Sequence, residues 1–120
     1  MKAKKHIEFD RVFAYITEGK TDILWFESEE TMRKVGQGMV LLAQSDAFVL
    51  NFNVKTDTEN DIVLIAAKIY DIDGIIISIT CNKYKQEIRF TNEKQMRRAG
   101  QCLIDLARIG GNEVEIKDEQ

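Results

Sequence analysis

Apolar residues recur along two stretches of the chain with the period of a helix. At Met32, Val35, Gly36, Met39, Leu42 and Ala43, and again at Met96, Ala99, Gly100, Leu103, Leu106 and Ala107, apolar or small side chains build one buried stripe per helix. Ser28 and Asn92 stand where helix caps belong, and glutamates follow in the first turn, where the helix dipole favours negative charge. The two stretches also agree residue by residue. Phe26–Gln44 aligns without a gap on Phe90–Arg108 at an offset of 64, with identities at Phe26/Phe90, Glu29/Glu93, Met32/Met96, Arg33/Arg97, Gly36/Gly100, Gln37/Gln101, Leu42/Leu106 and Ala43/Ala107. A glycine inside a helix costs about 0.5–1 kcal/mol relative to alanine. Its presence at the same stripe position twice predicts helices that cross at Gly36 and Gly100.

Elsewhere the period is two. RVFAYITEGKTDILWF (11–26) and IIISITCNKYKQEIRF (75–90) each read as a hairpin that leads into a helix, with EGKT and NKYK as the loops. Those loops set Phe13 against Phe26 and Tyr15 against Leu24, and Ile77 against Phe90 and Ile79 against Ile88. Residues 48–55 alternate as a half-buried strand, residues 61–73 read as a more buried one ending in a DIDG turn, and a short strand fits 113–117. The order predicts an α+β fold, a mostly antiparallel sheet with two helices on one face. It also predicts a pseudo-twofold duplication of a hairpin-to-helix unit, over about 11–45 and 75–109, within one domain spanning 1–120.

Composition places the chain among ordinary globular proteins: 44% hydrophobic and 31% charged over 120 residues, enough for one core. No apolar run is long enough to cross a bilayer, and the basic start MKAKKHIEFD lacks a following apolar segment, so neither membrane insertion nor secretion is expected. Cys81 and Cys102 form no C-x-x-C pair; they read as small core residues in a reducing, cytoplasmic setting. The net charge of -3 argues against generic polyanion binding, although residues 83–98 carry six basic and two acidic side chains.

Candidate chemistry is sparse, and the reading assigns no catalytic residue, metal ligand or cofactor. Ala14–Thr21 fits the relaxed spacing of a phosphate-binding loop, but Thr21 precedes a strand where that loop requires a helix. The single histidine, His6, is remote from both cysteines, which disfavours nucleophilic triads and zinc sites. Asp57, Glu59 and Asp61 lack the glycine and the glutamate of a calcium loop, and Asp71 and Asp73 flank Gly74 as turn residues. Arg97 and Arg98 read as solvated charges on the outer side of a helix.

Strand parity leaves one feature. If the helices cover the face that carries Leu24, Phe26, Ile88 and Phe90, then Trp25 and Arg89 look the other way at matching positions, joined by Lys83 and Lys85. The expected registers surround Trp25 with Ala14, Ile16 and Ile23, and Arg89 with Ser78, Thr80 and Glu87. Three functions compete for such a face. The first is a non-enzymatic module that docks a protein partner or its own copy, with Trp25 as anchor and Arg89 as polar counterpart. In the second, Trp25, Tyr84 or Tyr15 stacks the bases of single-stranded nucleic acid while Lys83, Lys85 and Arg89 follow its backbone. Strands repeated ahead of each helix give a topology that resembles the Whirly and PC4-like single-strand binders in fold order, with no signature residues shared. The third is a small-ligand binder or enzyme that uses the cleft between the two copies.

Overall fold

The stripe glycines meet as their spacing requires. In a computed structural model that describes residues 1–54, 62–82, 84–108 and 111–117, α1 (Glu29–Gln44) and α2 (Glu93–Arg108) cross with Gly36 against Gly100. A Cβ at Gly36 would lie 2.6 Å from the Gly100 carbonyl oxygen, and one at Gly100 would lie 2.7 Å from that of Gly36. Each backbone thus occupies the space a side chain would need. Both predicted caps are present: the Thr31 amide donates to the Ser28 hydroxyl at 3.1 Å, and the Gln95 amide to the Asn92 side-chain oxygen at 2.9 Å.

Around the helices run β1 (Lys2–Glu8), β2 (Arg11–Glu18), β3 (Lys20–Phe26), β4 (Val49–Val54), β5 (Ile62–Asp71), β6 (Gly74–Cys81), β7 (Tyr84–Phe90) and β8 (Glu113–Glu115). The fold is α+β and antiparallel, but its strands form two four-stranded sheets rather than one, ordered β3-β2-β1-β8 and β4-β5-β6-β7. The division falls between β3 and β7. There the Gln86 side chain takes the place of a ladder: its amide donates to the Trp25 carbonyl at 2.7 Å, and the Trp25 amide donates back to its oxygen at 2.9 Å. The helices exchange partners across this seam. α1, which follows the first sheet, rests mainly on β4 and β5, whereas α2 rests mainly on β1 and β8.

The bounds of β3 and α1 recur 64 residues later as those of β7 and α2, but the hairpin registers differ from expectation and from each other. Gly19, with φ of 79°, lets Glu18 pair with Lys20, so the first hairpin turns more tightly than a four-residue EGKT loop. The resulting shift sets Phe13 opposite Trp25 and Ala14 opposite Leu24. A one-residue slip exchanges faces. Trp25 therefore shares its face with Phe13 and Tyr15, and Ala14 and Ile16 are core. In the second hairpin Cys81 pairs with Tyr84 and Asn82 has φ of 52°. This shift spans two residues, so the faces hold while the partners become Ile75/Phe90 and Ile77/Ile88.

Polar residues also enter the core, and two lysines serve the helix ends. The last carbonyls of a helix lack intrahelical donors and carry partial negative charge, and α1 has no basic residue in its last turn. Lys68 supplies the charge from β5: its ammonium donates to the carbonyls of Leu42 at 2.7 Å and Ser45 at 2.9 Å while Lys68 is only 4% exposed. Lys5 of β1 does the same for α2, donating to the Leu106 carbonyl at 2.9 Å and to Glu29 at 3.3 Å.

Candidate functional site: the outward sheet faces

The helices cover one face of each sheet and leave the other open. On the first sheet the open face carries Phe13, Tyr15, Ile23 and Trp25. Trp25 is half-buried: the Arg11 guanidinium lies 4.5 Å from the ring centroid, and Tyr84 meets the ring edge-on at 5.1 Å. Gln86 holds its backbone from the side. The tryptophan thereby clamps the seam between the sheets, its ring in contact with a cation and with a second aromatic ring.

Arg89 looks outward from β7 opposite Ile76, and its guanidinium reaches both carboxylate oxygens of Asp71, at 2.8 and 2.6 Å. That bond, more than the amide of Asp73, holds the Asp71 carboxyl below the usual range. Lys85 and Tyr84 are exposed, and Lys85 pairs with Glu87 at 3.4 Å. Lys83 lies outside the described residues, as do Asp57, Glu59 and Asp61. Across the seam, Lys20 and Asp22 face Ile76, Glu87, Ile88 and Arg89 around a hollow of about 190 Å³, the place expected for a cleft between the two halves.

A row of exposed apolar side chains lies where the sequence reads as a more buried strand, with the exposed Asn51 and Asn53 of β4 opposite part of it. Along β5 the outward residues Val63, Ile65 and Ile69 are 46%, 37% and 46% exposed, with Val49 of β4, opposite Ala67, at 53%. Ile76 stands opposite Ile69 on the same face. An unbroken apolar run predicts burial on both faces, yet the helices reach only Leu64, Ala66 and Lys68. The row Lys85, Glu87, Arg89 borders this stripe on β7, one strand beyond β6.

Two further expectations meet the structure differently. Arg98 is no solvated helix charge: it is 7% exposed and pairs with Glu18 at 3.3 Å, because α2 presses that face onto the end of the first sheet. Cys102 is core, and burial pushes its thiol from an ordinary 9.0 up to about 11. A pKa raised by folding contributes stability that is present below the unfolded value and lost as pH climbs through the folded one. Relative to Cys102→Ala, the wild type is expected to lose stability between about pH 9 and 11 in urea melts. A pH-independent difference would show that the fold accommodates the thiolate.

Thr21 lies within β3, so the phosphate-loop spacing has no helix behind it. Among the described residues no acidic, histidine or cysteine group is arranged to hold a metal ion, and no helix is long and apolar enough to cross a membrane. No protein family matches the chain, nor does a curated protein or a solved structure.

Proposed function

We propose that the chain is a non-enzymatic interaction module that docks a protein surface, its own copy first, through the outward face of the second sheet. The observation that carries this reading is the row of exposed branched side chains, Val49, Val63, Ile65 and Ile69, in register on one face. Single exposed apolar residues are common, but neighbouring ones on an uncovered sheet face mark contact surfaces. A two-fold contact needs a patch complementary to itself. The border meets that need by alternating in sign through Lys85, Glu87, Arg89 and Asp71, whereas a surface that tracks nucleic acid carries one sign. Arg89 flanks the patch, and Trp25, with Tyr84 against its ring, braces the seam.

Ile65→Lys and Trp25→Ala separate docking from bracing. Ile65→Lys is expected to abolish self-association in sedimentation equilibrium while the melt shifts by only about 0.5 kcal/mol, as for ordinary surface changes. Trp25→Ala is expected to lower stability by about 2–3 kcal/mol, somewhat less than a fully buried aromatic. A chain that stays monomeric at high concentration and instead binds single-stranded oligonucleotides in a steeply salt-dependent way would replace this reading with the nucleic-acid one.

A further inference from the structure

A second surface, between α2 and the segment beyond β8, has a different character. Lys94, Arg97, Arg98 and Gln101 of α2, with Ile116 and Lys117 just beyond β8, line a hollow of about 210 Å³. Among the described residues that line it, four of six are cationic, in a chain whose net charge is -3. The site is firmly built. Arg98 is fixed in the wall by Glu18 at 3.3 Å, and reciprocal backbone bonds of 3.0 and 2.9 Å between Met1 and Ile116 hold the strand that forms the far side.

We infer that this hollow binds a small molecule through a phosphate or diphosphate group. Two guanidinium forks and two ammonium groups converging on one concavity suit a multiply charged, tetrahedral oxyanion, which accepts several charge-assisted hydrogen bonds at once. The Gln101 side-chain amide, which donates to Asp105 at 2.9 Å, keeps its second hydrogen for the anion, and Ile116 supplies an aliphatic wall. The volume is below the roughly 300–1,000 Å³ of pockets for drug-sized ligands; the anionic group sits inside and whatever it is attached to lies in solvent. Lys94, Arg97 and Arg98 already hold polar partners, so the anion enters by exchange with them.

The probe is inorganic pyrophosphate, titrated calorimetrically into the full chain at an ionic strength matched with chloride. Saturable binding is expected, weakened about tenfold by Arg97→Gln or Lys117→Gln, the loss of one charge-assisted contact, and unchanged by Lys34→Gln on α1, outside both surfaces. The two weakening variants replace side chains at the rim and spare the buried Arg98. Absence of saturable binding, or equal weakening by Lys34→Gln, would overturn the assignment. So would binding that appears only when Asp118→Asn and Glu119→Gln neutralise the carboxylates following Lys117, since the cations would then serve the chain's own acidic residues. Tighter capture of a single-stranded oligonucleotide, lost in the same variants, would give the hollow to nucleic acid instead.

Discussion

Gly100→Leu is expected to destabilise the fold by about 3 kcal/mol, the upper part of the range for overpacked cores. The obstacle is backbone. A Cβ at Gly100 already meets the Gly36 carbonyl oxygen at 2.7 Å, with Met39 and Val40 side-chain carbons at 3.0 Å, so a longer side chain fits only if the helices separate. Separation would strip contacts from Met39 and Leu103, both fully buried at the crossing. The sign of the smaller change is the sharper test. In an unconstrained helix Gly→Ala stabilises by about 1 kcal/mol, yet Gly100→Ala is expected to destabilise here. The readout is the urea midpoint at unchanged slope. A stabilised alanine variant would mean that the helices are not in contact at these glycines.

Lys68→Met is expected to cost about 3 kcal/mol. The substitution keeps much of the apolar stem but removes the donor that satisfies the carbonyls of Leu42 and Ser45. A buried acceptor left unpaired costs about 1–3 kcal/mol. Lys4, on the first sheet, offers the contrast: it pairs with Glu113 at 3.3 Å with both side chains more than two-thirds exposed, and pairs of that kind contribute little. Lys4→Met is therefore expected to leave the melt nearly unchanged. Equal effects from the two substitutions would show that the end of α1 is satisfied by water.

The contrast between these lysines also shows what a pattern of residue types can and cannot reveal. Helices, caps and the glycine crossing were legible because each leaves a local signal: a 3.6-residue period, a serine or asparagine at the right step, a glycine where none is favoured. The first strand left no such signal, since its buried positions are Ala3 and Lys5 and a core lysine reads as a solvated one. Hairpin faces depended on loop length. Around Gly19 one residue decided whether Ala14 or Phe13 joins Trp25, and residue types alone did not distinguish a tight turn from an open one. The division into two sheets rests on Gln86, whose side chain substitutes for strand pairing without any sequence mark. The open face of β5 was hidden for a related reason: an apolar run reads the same whether helices cover one side of it or both.

The central claim, that this open face docks a second copy, is tested most directly by hydroxyl-radical footprinting over a range of protein concentrations. Labelling of Val63, Ile65 and Ile69 is predicted to fall as concentration rises, in step with the sedimentation mass, while the exposed Phe9 and Ile72 in the hairpin turns label at a constant rate. A mass that doubles while the β5 residues stay fully labelled, or a chain that remains monomeric throughout, would contradict it.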